Sequence, residues 1–310
     1  YALFGSDESN DSTFGANNTF LGWYADKEAI SKEIMEIKEA VIDKDFIVFA
    51  VPSTAVRGVA RNIRPFVKDG QIIVDVAKGI EESTLMTLSQ QIEDEIPHAN
   101  VAVLSGPSHA EEVAMGKLTG LIADSENAMS SIRIRELLRV PGLLVYSSLD
   151  VIGVQVCAAA KNVIAVVFGC VDAMAETSTL FGDNAESLLL AAGLNEIQTL
   201  GFALGATHAE TFTSISGIGD LDVTCRSKYG RNRRFGQDII KNNILDGFSS
   251  LDDLIANISK VGYLPEGAVA CKYIQEISEK KGIKLTLTNA LFKVLNKEKK
   301  PEDFLSEVLG

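Results

Sequence analysis

Leu143-Leu-Val-Tyr146-Ser-Ser-Leu-Asp150-Val151-Ile-Gly153-Val-Gln-Val-Cys157-Ala-Ala-Ala-Lys161-Asn162-Val-Ile-Ala-Val-Val167 contains the change of periodicity on which the fold turns. Leu143 to Tyr146 is the last of five β-rich apolar runs, and from Val151 onward the residues are small and apolar at helical spacing. Upstream, the other runs are Phe46 to Val51, Ile72 to Val76, Val101 to Leu104 and Leu118 to Ala123. Between them, segments such as Thr54 to Val67 and Ser83 to Ile96 carry helical spacing, with Ser53 and Ser83 where N-cap residues are wanted. Such alternation predicts an α/β half built on a mostly parallel, doubly wound sheet. Downstream, Val151 to Met174, Asn184 to Leu204, Ser250 to Ser259, Ala268 to Lys280 and Pro301 to Leu309 read as helices without intervening strands. The expected boundary lies at residue 150, separating an α/β domain (1–149) from an all-helical one (150–310).

At 310 residues, 46% hydrophobic and 23% charged, the chain has the profile of a soluble globular protein with room for two cores. No apolar run reaches the roughly eighteen residues of a membrane span without polar interruption, and no signal segment opens the chain, so a cytoplasmic protein without a membrane span is expected. A net charge of −13 opposes nucleic-acid binding and repels anions unless positive charge is gathered locally. Cys157, Cys170, Cys225 and Cys271 are far apart, with three histidines in the whole chain, so they read as small buried hydrophobes and no metal site is expected.

Positive charge is gathered in Cys225-Arg-Ser-Lys-Tyr-Gly-Arg231-Asn232-Arg-Arg-Phe235, where five basic side chains fall within nine residues and no carboxylate intervenes. Arginine forks match phosphate oxygens, so this stretch suits a phosphate; an exposed basic face and an RNA contact are the other readings. Lys161 is a cation in an otherwise apolar helix, and two readings are open. It snorkels or pairs with a carboxylate, or burial and neighbouring cations lower its pKa so that it exchanges a proton with a hydroxyl or carbonyl. A shift from about 10.4 to about 7.5 corresponds to roughly 4 kcal/mol of differential interaction.

Gly217-Ile-Gly219-Asp220-Leu-Asp222-Val-Thr224 supplies a glycine-rich turn, a carboxylate and a hydroxyl. Asp220 either bonds a substrate hydroxyl, orients a lysine ammonium, or caps the next turn. In the α/β half, Val76-Ala77-Lys78-Gly79-Ile80-Glu81 and Leu104-Ser105-Gly106-Pro107-Ser108-His109-Ala110-Glu111-Glu112 follow strands, where ligands of open α/β sheets lie. His109 lacks a metal partner and reads as structural.

Taken in order, AVPS at Ala50, AKGIE at Ala77, LSGPSHAEEVA at Leu104, AAAKNVIAV at Ala158, GIGDLDVTC at Gly217, RNRRFG at Arg231 and PEG at Pro265 resemble the NAD(P)-dependent glycerol-3-phosphate dehydrogenases. The resemblance runs from about residue 44 to residue 280. It implies a Rossmann-like dinucleotide-binding domain (1–149), a helical substrate and catalytic domain (150–310), and interconversion of dihydroxyacetone phosphate and sn-glycerol 3-phosphate with NAD or NADP. Lys161 matches the family's general acid/base. Lys78, Gly106, Ser108, Asp220, Arg231 and Asn232 match substrate contacts; Lys78, Ala110, Arg231, Leu264 and Glu266 match cofactor contacts. Asn162 and Thr224 stand where some members place further polar contacts. A homodimer and a role in supplying phospholipid synthesis are further family expectations.

The sequence departs from the family pattern in places. Gly230 replaces a serine usual before Arg-Asn, Ala191-Ala192 stand where many members have Thr-Arg, and Glu176 to Thr179 resemble a short insertion. No G-x-G-x-x-G precedes Phe46, and Tyr1 to Gly5 resembles the family's second strand, so a first βα unit of about thirty residues is expected upstream. Ser6 falls near the arginine often used against an NADP 2′-phosphate, leaving cofactor choice open. Two other readings remain: a β-hydroxyacid or ketopantoate-type dehydrogenase with the same two-domain plan, and a non-catalytic relative.

Overall fold

A computed structural model describes residues 37–178, 180–227 and 230–303. The strand expected at Tyr1 to Phe4, Ser6, Lys228 and the last helix beyond Asp303 lie outside these residues.

All five expected strands form: β1 (Phe46–Phe49), β2 (Ile72–Asp75), β3 (Asn100–Ser105), β4 (Thr119–Asp124) and β5 (Leu143–Ser148), side by side in that order. β1, β2 and β3 are parallel, with Phe46 opposite Ile72 and Ile72 opposite Asn100. α1 (Val56–Ile63) and α2 (Leu88–Glu95) fill the connections between them. α3 (Ala110–Ala114) lies between β3 and β4, and α4 (Ala128–Leu138) between β4 and β5. β4 runs back along β3: the end of β3 at Gly106 lies against Gly120, while Ser125 Oγ beyond β4 donates to the Val101 carbonyl near the start of β3. β2 is buried at all four positions, as a strand covered on both faces must be. Val56, Ala60 and Ile63 of α1 and Leu88 and Ile92 of α2 form one apolar cluster with Phe49 and Ile73.

Two expected caps are corrected. α2 begins at Leu88, not near Ser83, because Thr87 and Gln90 form a capping box in which Gln90 Oε1 accepts from the Thr87 amide at 3.0 Å. Ser83 has no such partner three residues on and falls in a turn closed by Glu81 and Met86. Ser53 opens a 3-10 turn, Ser53–Ala55, that leads into α1 without a side-chain cap.

By contacts the chain falls into two compact units. Of the described residues, one holds 37–104 with Ile122–Arg139 and Val145–Val151; the other holds Ser105–Leu121, Val140–Leu144 and those from Ile152 onward.

The second unit is built around α5 (Val151–Ala175), which is buried almost throughout. α6 (Asp183–Leu204), α7 (Asp220–Arg226), α8 (Arg231–Lys241), α9 (Leu251–Ala256), α10 (Glu266–Lys281) and α11 (Thr286–Leu295) complete it. Two glycines set the spacing on α5. A methyl group at Gly236 of α8 would collide with the Val166 carbonyl oxygen, and one at Gly267 of α10 with that of Asn162. Close helix packing of this kind fixes backbone to backbone rather than side chain to side chain.

α5 and α6 are long and apolar enough to cross a membrane, which corrects the expectation that no segment qualifies. In α5 that window is buried inside the protein, as in the core helix of a globular unit. The α11 N-terminus is closed by a buried carboxylate: Glu196 of α6 accepts from the Leu287 amide at 2.5 Å and from the amide and hydroxyl of Thr288 at 3.2 and 3.0 Å. The four cysteines are buried and free, and burial pushes the Cys170 and Cys225 thiols up to about 12.

Candidate functional site

Lys161 sits midway along α5 with 5% of its surface exposed. A buried ammonium requires a partner, and α7 supplies two. Its Nζ donates to Asp220 Oδ1 at 2.5 Å and to Thr224 Oγ1 at 2.9 Å. Asp220, 2% exposed, opens α7 directly after a π-helical turn, Ile215–Gly219; Thr224 lies one helical turn on and donates back to the Asp220 carbonyl at 2.6 Å. Of the two readings open for Lys161, its immediate neighbour is the carboxylate of the first rather than the cations of the second, and that charge balances the buried ammonium.

A second cluster lies one residue along α5. Asn162 Oδ1 accepts from Asn232 Nδ2 at 3.0 Å, and Asn232 Oδ1 accepts from the Gly267 amide at 2.8 Å. Asn162 Nδ2 donates to Glu266 Oε2 at 3.4 Å. Asn232 thereby ties α5, α8 and the first turn of α10 together.

The basic stretch is not one loop. Arg231 starts α8, whose N-cap, Gly230, brings no side chain to the first-turn amides. Carboxylates remote in sequence claim most of its arginines. Arg226 pairs with Glu186 and Asp222, each at 2.8 Å, and Arg233 holds Asp172 at 2.7 Å and 3.1 Å. Arg234 lies 4.7 Å above the Tyr263 ring. Arg231, half exposed, holds a 3.6 Å pair with Glu266, itself exposed. It combines with the positive end of an eleven-residue helix that has no acidic side chain in its first turn.

The other expected positions are placed as follows. Ser105–Leu121 belongs to the helical unit, so Gly106, Ser108 and Ala110 fall there. Gly106 has φ +145°, and a β-carbon on it would stand 2.7 Å from the Gly120 carbonyl oxygen, so only glycine fits. Ser108 is exposed and donates to the Gly106 carbonyl at 3.2 Å; Ala110, also exposed, opens α3. Leu264 is 42% exposed and precedes α10, which Glu266 begins. Lys78 lies in the other unit, half-buried on the loop after β2. Ahead of it, burial pushes Asp75 up to about 7, opposed by the Ala77 amide, which donates to the carboxylate at 3.0 Å and favours its charged form.

Comparison with known proteins shows the family to which this fold belongs. The model for the NAD-dependent glycerol-3-phosphate dehydrogenase C-terminus matches residues 150–306, and that for the N-terminus of the same enzymes matches residues 15–131. A glycerol-3-phosphate dehydrogenase [NAD(P)+] from Treponema denticola is 52% identical over 303 residues, covering 92% of the chain and 85% of that protein. The chain belongs to the NAD-dependent glycerol-3-phosphate dehydrogenase family.

Other glycerol-3-phosphate dehydrogenases agree with it over shorter or weaker matches. The Treponema pallidum protein is 61% identical over 213 residues, which span 69% of the chain and 60% of that protein. Among solved structures, the Coxiella burnetii glycerol-3-phosphate dehydrogenase superposes with a TM-score of 0.74 at 26% identity, covering 90% of the chain and 89% of its own. The fold is thus the Rossmann-type sheet with an all-helical C-terminal part.

Within this family member, Lys161, Asp220 and Thr224 are brought together, as are Asn162, Asn232, Arg231 and Glu266. Thr224 as a direct partner of Lys161 was legible in part: residues four apart share a helix face. The glycine-rich run before Asp220 instead suggested a turn.

Proposed function

We propose that this protein interconverts dihydroxyacetone phosphate and sn-glycerol 3-phosphate with NADH or NADPH as reductant. The carrying observation is the buried Lys161–Asp220–Thr224 constellation in a chain of this family. When bound, the reduced nicotinamide supplies the hydride that turns the ketone carbon into an alcohol carbon. Lys161 donates the accompanying proton to the oxygen as negative charge develops there, and takes it back in the oxidising direction. Asp220 holds the ammonium charged between turnovers, and Thr224 fixes its direction. Arg231 and the α8 N-terminus, which Asn232 locks in place, hold the phosphate. Lys78, Gly106 and Ser108 complete the substrate contacts.

The residues present fit a dinucleotide. Ser105 Oγ and His109 Nε2 are buried without a hydrogen-bond partner on either side of Gly106 and Ser108, polar atoms that a ligand would satisfy. Lys78, Ala110, Arg231, Leu264 and Glu266 would hold the cofactor. On this reading residues 1–149 form the dinucleotide-binding domain and residues 150–310 the substrate domain, in a cytoplasmic homodimer that supplies a phospholipid precursor.

The test is direct. Full-length protein should oxidise NADH or NADPH when dihydroxyacetone phosphate is added and not with ketopantoate or β-hydroxyacid substrates. Turnover with a phosphate-free ketoacid instead would overturn the assignment.

A further inference from the structure

The loop Val76–Glu81 carries Lys78 away from the end of β2, and the structure ties it down at three points. At its start, the Ala77 amide donates to the buried Asp75 carboxylate at 3.0 Å. In its middle, Gly79 has φ +149°, and a β-carbon there would stand 2.9 Å from Ser53 Cβ, so the loop lies flush on the turn that leads into α1. At its end, Arg57 of α1 grips the Glu81 carboxylate with both prongs, Nε at 2.6 Å and Nη2 at 2.8 Å, and the Thr84 hydroxyl donates to the same group. The remaining arginine nitrogen reaches back to α2, 2.5 Å from Asp94 and 3.1 Å from Glu95. Arg57 and Glu81 are both largely buried.

A paired fork of this kind resists rotation as well as separation. Two of the three ties come from one short segment, Ser53–Arg57, and both hold the loop just after Lys78, while the Asp75 tie holds it just before. Surface stabilisation alone would be served equally by the Arg61–Glu95 pair at 2.7 Å, which never touches the loop.

We propose that Arg57, through Glu81, is a positioning residue that presets the Lys78 loop for the phosphorylated substrate and the nicotinamide cofactor. The inference rests on the reading of Lys78 as a ligand contact. An unclamped loop must be ordered when ligand binds, so loss of the clamp weakens binding rather than the proton transfer at Lys161.

The experiment compares Arg57→Lys, Glu81→Gln, their combination, Arg61→Ala and Lys78→Ala in the full-length enzyme, with steady-state kinetics and melting temperatures. Arg57→Lys and Glu81→Gln should each raise KM for dihydroxyacetone phosphate roughly tenfold with kcat within about threefold, a signature of lost ligand binding. The double variant should be no worse than either single change, because one interaction is lost in all three. Arg61→Ala, which removes an ion pair whose arginine is exposed, should leave KM unchanged. A raised KM in Lys78→Ala with wild-type KM in both clamp variants overturns the clamp alone. Wild-type kinetics in Lys78→Ala overturns the Lys78 reading and the clamp with it. Glu81→Gln is nearly isosteric and keeps the test open should Arg57→Lys fold poorly.

Discussion

Asp220 Oδ1 stands 2.5 Å from Lys161 Nζ, joining the start of α7 to the middle of α5 in a site from which water is almost excluded. The pair is at once the proposed proton donor with its counter-charge and a buried ion pair, and these two roles predict different outcomes for the same substitutions.

Lys161→Ala removes the proton donor. General acid–base groups contribute about 10²- to 10⁴-fold, so kcat for dihydroxyacetone phosphate reduction should fall roughly a thousandfold. NADPH affinity, followed by quenching of its fluorescence, should change little. Retention of wild-type turnover would remove Lys161 from the chemistry.

Stability should respond in the opposite sense to the two-step removal of the pair. Deleting one partner of a buried ion pair costs about 3–5 kcal/mol because the other charge is stranded. Asp220→Leu should therefore lower the urea midpoint sharply, and adding Lys161→Met should restore most of it, although the double variant is inactive.

Asp75 makes stability depend on pH. Burial raises its folded pKa to about 7 from an unfolded value of 3.8, so the folded protein binds the proton more tightly. The contribution is complete below the unfolded value and is lost as pH rises through the folded one, by up to about 4 kcal/mol. The wild-type melting temperature should fall between about pH 4 and pH 7, the window between these two values, and that of Asp75→Asn should fall less. Equal slopes would mean that Asp75 is ionised throughout.

Glu196→Ala leaves the first amides of α11 without their acceptor. Loss of a cap and of its buried hydrogen bonds should destabilise by about 1–3 kcal/mol, read by urea unfolding, with KM unaffected. Glu196→Gln, which keeps an acceptor oxygen, should lose less.

The strands were legible in the sequence because each is an apolar run closed by turn residues, and α5 because nothing in twenty-five residues breaks its pattern. α7 and α8 were not. Gly217-Ile-Gly219 and the arginine-rich stretch after Cys225 have the composition of loops, yet the first forms a π-helical turn and Arg231 opens α8, which packs on α5 through Gly236. Charge was likewise misread. Arg226 and Arg233 stand among basic neighbours in the chain, yet Glu186 and Asp172 neutralise them from other helices. The residues of the candidate site could be chosen from motif order. The sequence offered a carboxylate partner for Lys161 and a lysine partner for Asp220 as open readings; that these two find each other 59 positions apart, or that Arg57 holds Glu81, is information that only the folded chain contains.

The glycine seats on α5 also bear on how such an enzyme could acquire a new substrate. With Gly236 and Gly267 pressed against its backbone, the helix that carries Lys161 is held closely in place, so the proposed proton donor is effectively a fixed coordinate. Adaptation to a longer or differently charged ligand has to be worked out at the rim, at more exposed side chains such as Arg231 and Leu264, rather than along the helix.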